Sequence, residues 1–205
     1  NAISLGIATF TFTETATGCV SENTLPLLVD IKPTALITGN DIICLGSTTT
    51  LSPTSGGTWI SNNPSVANVN ISGLVTGTSQ GVATFTFITD GGCTSFPSTP
   101  LVVNGKPSTS LIGLPNICVN STTNLLPNSG GTWASMNSTI ATISNTGEVT
   151  GVSAGEVRFL FTDASTGCTS NPSAEVDVSN IPATTLNGPS QICIGASTQV
   201  YPVSD

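Results

Sequence analysis

Histidine is absent from the 205 residues, and lysine and arginine together number three. The lack of imidazole removes the commonest general base and metal ligand at neutral pH. A net charge of −8 with three basic groups excludes a nucleic-acid partner, because polyanion binding needs a basic face that displaces counterions. Charged residues of both signs make up 7% of the chain, against about 25% in ordinary soluble domains. No run of about 18 apolar residues occurs, so no membrane insertion is expected. There is one tyrosine, and no carboxylate pair recurs at a fixed spacing to serve as general acid and base. The chain is therefore not expected to be an enzyme, and it implies no cofactor. Low charge with abundant Thr, Ser, Asn and Gly resembles the composition of a disordered chain. However, the mean hydropathy is +0.28 and the apolar residues alternate regularly. The polar surface is built from hydroxyls and amides rather than ions.

What is present is a ruler of six cysteines. Cys19, Cys44, Cys93, Cys118, Cys168 and Cys193 are separated by gaps of 25, 49, 25, 50 and 25. A step of 74 or 75 residues carries Cys44 to Cys118 to Cys193, Cys19 to Cys93 to Cys168, and Trp59 to Trp133. The chain is an array of one small module. ICLGSTTTLSPTSGGTW (43–59) returns as ICVNSTTNLLPNSGGTW (117–133) and begins again as ICIGASTQVYPVSD (192–205). ATFTF recurs at 8–12 and 83–87 and is matched by VRFLF at 157–161; a Gly-Cys pair follows each. Four segments follow: the C-terminal part of a module (1–31), two complete modules (32–105 and 106–180), and the N-terminal part of another (181–205). The sequence has no initiator Met or signal peptide and reads as a window from a longer protein. Evenly spaced cysteines without histidine favour disulfides over zinc, and hence an oxidising location.

Every apolar stretch has period two. Ala83, Phe85 and Phe87 point one way while Val82, Thr84 and Thr86 point the other, and Val157, Phe159 and Phe161 repeat the pattern. Leu101 and Val103 face inward in the closing strand, as do Val176 and Val178, and Leu27 and Val29. No helical period of useful length appears. Seven short strands per module, separated by Gly, Pro, Asn and Ser turns, predict an all-β chain of antiparallel β-sandwiches of about 74 residues each, in an extended array. In module one the strands are expected near 35–44 and 47–52, then as a third strand carrying Trp59 after the turn Thr54-Ser55-Gly56-Gly57, and then near 66–69, 73–76, 82–89 and 94–103. Trp59, Trp133, Phe85, Phe87, Phe159 and Phe161 are assigned to the core, and Phe10 and Phe12 by the same argument. Linkers fall at Lys32-Pro33, Lys106-Pro107 and Ile181-Pro182. They are short, and proline stiffens them.

The ordered set Gly57-Thr58-Trp59, Val66-Ala67-Asn68-Val69, Gly73-Leu74-Val75-Thr76-Gly77 and Phe85-Thr86-Phe87 resembles the bacterial immunoglobulin-like repeat, group 2. Its cysteine-bearing form is similar to repeats in giant surface adhesins and filaments of gliding bacteria. The resemblance implies the stalk of a secreted adhesin, outside the bacterial cell.

In an immunoglobulin-like module the first expectation is a bridge within the sandwich, here Cys44–Cys93 and Cys118–Cys168. The turn signals point elsewhere. Cys44 precedes the Gly46 turn and Cys93 sits at the Gly92 tip, and in this topology those turns lie at opposite ends of a sandwich. A strand's length separates them, well beyond the Cα limit of about 7 Å for a disulfide. The alternative joins modules through Cys44–Cys168, with the partners of Cys19 and Cys193 outside the window. Both pairings stand open at this point.

Asp30, Asp41, Asp90, Asp163, Glu175 and Asp177 are the candidate calcium ligands, but no cluster of them repeats as a calcium loop would require. The function that follows is structural. A stiff, disulfide-stapled shaft of a bacterial surface adhesin or extracellular filament would partner with further copies of its own module. A ligand such as a glycan would then be met through a domain not in this sequence. In the second reading, the repeats themselves bind a glycan or a surface protein. It requires exposed aromatics that vary between modules, and of these Phe96 and Tyr201 have no assigned place.

Overall fold

A computed structural model describes residues 4–187 and 190–202. Parts of both incomplete modules, residues 1–3, 188, 189 and 203–205, lie outside the described residues. The chain divides into two units, Asn1–Gly105 and Lys106–Asp205. Among the described residues every regular element is a strand.

Unit one opens with a hairpin of β1 (Gly6–Ala8) and β2 (Leu27–Val29). Module one then contributes β3 (Leu36–Ile37), β4 (Ile42–Cys44), β5 (Thr48–Ser52), β6 (Gly57–Ser61), β7 (Ala67–Val69), β8 (Leu74–Gly77), β9 (Gly81–Ala83), β10 (Phe85–Thr89) and β11 (Leu101–Asn104). Module two repeats this as β12 (Ser110–Leu111), β13 (Asn116–Cys118), β14 (Thr122–Leu126), β15 (Gly131–Ser135), β16 (Ala141–Ile143), β17 (Glu148–Gly151), β18 (Gly155–Val157), β19 (Phe159–Asp163) and β20 (Val176–Ser179). The last partial module supplies the hairpin β21 (Thr184–Asn187) and β22 (Gln199–Pro202).

In module one, β3-β5-β8-β7 form one face, and β4-β11-β9 with the pair β10-β6 form the other. Module two has the same order. The expected first strand, 35–44, is two strands in two sheets. Its start pairs antiparallel with β5 (Ile37 opposite Leu51), and its end runs parallel to β11 (Ile43 opposite Val103). The crossing is tight: a Cβ on Gly39 would clash with the Thr49 hydroxyl. The expected strand 82–89 is likewise divided at Thr84, with β9 on β11 and β10 on β6. These divisions let so small a module fold around a single core. The sandwich is therefore antiparallel except where its first and last strands meet.

The inward sets assigned from the alternation form that core. Phe85, Phe87, Leu51, Leu101, Val75 and Val103 are fully buried in module one, and Phe159, Phe161, Leu125, Val149, Val176 and Val178 in module two. Trp59 packs on Phe87 at 5.0 Å between ring centroids, tilted by 55°, and Trp133 packs on Phe161 at 5.2 Å and 59°. Each buried indole needs a partner for its N–H. Trp59 Nε1 donates to the Pro53 carbonyl at 2.8 Å and Trp133 Nε1 to the Pro127 carbonyl at 2.9 Å.

Phe10 and Phe12 are a correction. They are 56% and 71% exposed, where their equivalents Phe85 and Phe87 are 0% and 2%. Residues 1–31 contain no match to the Trp strand that covers Phe87, and Leu27 is exposed as well.

The expected closing strand 94–103 is also shorter, because residues 94–99 are irregular. A pair of buried serines replaces the missing ladder. Ser95 Oγ accepts from the Phe87 N–H at 2.9 Å and Ser98 Oγ from the Phe85 N–H at 3.1 Å, while their own N–H groups donate to the same two residues' carbonyls at 2.8 Å. Ser170 and Ser173 do the same for Phe161 and Phe159, and Ser21 and Thr24 for Phe12 and Phe10. The spacing Cys-x-Ser-x-x-Ser/Thr is legible at all three sites.

Removing such a hydroxyl leaves a buried N–H unpaired. Ser98→Ala and Ser173→Ala should each destabilise their own module by about 1–3 kcal/mol. Amide hydrogen exchange at Phe85 and Phe159 reads each module separately. Protection should fall at Phe85 alone in the first variant and at Phe159 alone in the second.

Candidate functional site at the module poles

Each module has a leading pole, where the chain enters, and a trailing pole, where it leaves. The cysteines sit at both. Because β4 runs parallel to β11, Cys44 lies beside Asn104 in register, and the Leu45 N–H donates to the Asn104 carbonyl at 2.8 Å. Cys44 is thus at the trailing pole, next to the linker. Cys118 repeats this beside Ser179, with the Val119 N–H donating to the Ser179 carbonyl at 2.9 Å. The turns that follow are also equivalent. Ser47 N–H bonds the Cys44 carbonyl at 2.8 Å, Ser121 the Cys118 carbonyl at 2.9 Å, and Ala196 the Cys193 carbonyl at 3.0 Å. The turn needs a left-handed residue, supplied by Gly46 (φ 84°) and Gly195 (φ 89°) but by Asn120 (φ 67°) in module two. Asparagine tolerates that conformation better than most side chains.

The other cysteines cap the hairpin tips. Thr89 ends β10, and its N–H donates to the Cys93 carbonyl at 3.0 Å while its hydroxyl accepts from the Cys93 N–H at 3.0 Å. In module two the Asp163 N–H donates to the Cys168 carbonyl at 3.0 Å. Val103 pairs with Gly81, one register step from Cys44, whereas Cys93 lies beyond Thr89. About eight residues of extended chain separate those levels, roughly 25 Å. Such a separation does not suit the within-module pairings, and Cys93 and Cys118 carry free thiols, as do Cys19 and Cys193. Cys44 and Cys168 are each half of a disulfide.

A linker contact marks the leading pole. Lys32 Nζ lies 3.5 Å from the Phe96 ring centroid, and Lys106 Nζ donates to Asn171 Oδ1 at 3.3 Å. Phe96 and Asn171 each stand three residues after a tip cysteine and precede a proline. The lysine that opens each module thus reaches the tip of that same module. Phe96, left unassigned by its sequence, is 72% exposed and belongs to this contact. Beside it, Lys32, Pro33, Thr34, Ala35, Phe96 and Pro97 line a cavity of about 250 Å³. Nothing in the strand pattern announces the clasp; its signal is the joint recurrence of Lys-Pro and of the residue before Pro97 and Pro172.

The acidic residues are put to local use. Asp163 Oδ1 accepts from the Ser165 hydroxyl at 2.6 Å and N–H at 2.9 Å, and from the Thr166 N–H at 2.9 Å and hydroxyl at 3.1 Å. Those bonds, led by the Ser165 hydroxyl, hold its carboxyl below the usual aspartate range. Glu175 pairs with Arg158 at 3.1 Å on the surface, a contact worth little there. Asp30, Asp41, Asp90 and Asp177 are not brought to either group. Among the described residues no three His, Cys, Asp or Glu side chains converge as a metal site.

Comparison with known proteins agrees with this fold. Residues 121–169, the body of module two, match the bacterial Ig-like domain (group 2). Module two is a bacterial Ig-like domain of group 2. Module one repeats its strands, core and turns one step earlier in the chain. No curated protein matches the chain. Among solved structures, the chain is similar to invasin, a bacterial integrin-binding protein (15% identity, 90% of this chain and 47% of that one, TM-score 0.45). It is also similar to the C-terminal 282-residue fragment of intimin, solved with the intimin-binding domain of its translocated receptor (14% identity, 68% and 60%, TM-score 0.38). Domains 4 and 5 of the S-layer protein SbsC are a third (17% identity, 64% and 82%, TM-score 0.27). The chain thus spans about half the length of the invasin structure and less than two thirds of the intimin fragment. At these scores the assignment of the Ig-like domain rests on module two's own sequence.

The Asp163 cap makes the Cys168 tip acid-sensitive. A carboxyl whose folded pKa is lowered stabilises the tip above its unfolded pKa and loses that contribution as pH falls through the folded value. An NMR titration should show the Ser165 and Thr166 amides shifting together below the ordinary aspartate pKa. In Asp163→Asn that transition should vanish.

Proposed function

We propose that the chain is a segment of the load-bearing shaft of a bacterial cell-surface adhesin or extracellular filament, with consecutive Ig-like modules stapled by a Cys44–Cys168 disulfide. One observation carries the reading. Each half-cystine stands near the linker end of its own module: Cys44 is in register with Asn104, where module one ends, and Cys168 is three residues from Asn171, which accepts from Lys106, where module two begins. Only Gly105 lies between Asn104 and Lys106.

The physics suits a shaft. Closing a loop of roughly 100 residues or more stabilises the folded state by roughly 5 kcal/mol in the chain-entropy account. Modules this small sit near the lower limit for independent folding, so a covalent neighbour matters to each. A disulfide of this kind persists outside the cytosol, which agrees with a location on the bacterial surface. The partners are further copies of the module, and adhesion to a glycan or surface protein belongs to another domain of the parent. Phe96 is an exposed aromatic of the kind a binding role for the repeats requires, but Lys32 already covers one face of its ring.

Digestion with pepsin without reduction should yield one cross-linked peptide pair joining residue 44 to residue 168, lost on reduction. Thermal unfolding of the reduced chain should begin at lower temperature. A 44-to-93 peptide pair, or a melting profile indifferent to reduction, would sink the shaft reading.

A further inference from the structure

Cys118 and Cys93 carry thiols, yet each occupies the position whose twin is oxidised. Cys118 is the counterpart of Cys44, paired in parallel register with the last strand of its module (Ser179 for Asn104) and followed by the same turn. Cys93 is the counterpart of Cys168, closing the same tip, with the linker lysine held three residues away (Lys32 on Phe96, Lys106 on Asn171). Cys118 is exposed and Cys93 partly buried, so neither thiol is sealed into a core. Each is distant from the other cysteine of its own module, by the pole-to-pole separation already derived.

We propose that Cys93 and Cys118 are two further disulfide sites in a repeating ladder, in which the trailing-pole cysteine of each module bonds the tip cysteine of the module after it. The ligand of each is therefore a cysteine thiol of another copy of this repeat. Cys118 takes the tip cysteine of the module that follows, and Cys93 takes the trailing-pole cysteine of the module that precedes. The inference rests on the Cys44–Cys168 reading and extends it from one joint to every joint.

The chemistry needs an oxidant, which is a disulfide, either a small molecule or an oxidoreductase. One module's thiolate attacks it, forming a mixed disulfide and expelling one oxidant thiol. The neighbouring module's thiolate then displaces the second oxidant thiol. Two protons and two electrons leave the cysteine pair, and the oxidant's disulfide becomes two thiols.

The test lengthens the chain by whole periods. Residues 1–180 are joined directly to a second copy of residues 106–205, and the purified chain is refolded with glutathione disulfide and mapped without reduction. The appended copy carries Cys118→Ser and the exposed marker Ala164→Ser, and Cys118 should be found bonded to its marked Cys168, at a yield matching the Cys44–Cys168 bridge and at least tenfold above the unmarked within-module product. A second chain, residues 32–105 followed by residues 32–205, serves Cys93; its leading copy carries Cys93→Ser and the exposed marker Ile42→Val, and Cys93 should bond the marked Cys44. The two readings fail differently. If Cys44–Cys168 forms but Cys118 and Cys93 stay alkylatable thiols, the ladder is wrong and the single staple stands. If Cys44–Cys168 does not form in the unextended chain, the shaft reading falls too. Amide protection at Phe85 and Phe159 in each lengthened chain confirms folding. Two chains are used so that a fault in one junction does not silence the test.

Discussion

The parallel pairing of a module's first and last strands is the constraint on which the rest depends. Most neighbouring strands here are antiparallel, which the short turns between them require. The first strand instead leaves one sheet, crosses beside Gly39, and lies alongside the last strand in the same direction. The end of the first strand and the end of the module therefore share a pole. A cysteine placed there stands at the joint with the next module. Had β4 met β11 antiparallel, Cys44 would have faced back along the chain, and the spacing of the cysteines would have had another meaning.

Around that frame the module is economical. One Trp–Phe contact and a few fully buried aliphatic residues form each core. Two serines tie an irregular segment to β10 where a full strand would otherwise be needed. The hydroxyl does the work of a carbonyl without requiring the backbone to stay extended, which frees residues 94–99 to form the tip and the linker contact. Residues 1–31 display the same serine-type bonding at Phe10 and Phe12 while leaving those rings open.

Much of this is written plainly in the sequence. The near-regular step between cysteines, the alternation at Phe85 and Phe87, and the paired tryptophans give the all-β architecture and the core, because burial on a strand leaves a period-two mark. The opposite placement of Cys44 and Cys93 follows from the turns beside them. What does not show is any feature that has no period. The switch of the first strand between sheets leaves no alternation to read. The Lys32–Phe96 and Lys106–Asn171 contacts use different chemistry at the same position, so only the shared Lys-Pro and the shared proline after the contact residue hint at them.

The short cysteine gap, from Cys93 to Cys118 and again from Cys168 to Cys193, acquires a mechanical meaning in a closed ladder. Tension arriving at a trailing-pole cysteine crosses to the next module's tip, follows that short gap along the chain, and crosses again, having advanced two modules. The gap, fully extended, is roughly 85 Å. Without rungs the same advance, from Cys44 to Cys193, follows the whole intervening chain and could extend to roughly 500 Å. Two such paths, offset by one module, run side by side. Most of each sandwich is then carried off the line of force, so a shaft of these modules resists lengthening through its covalent path rather than through the strength of any single fold.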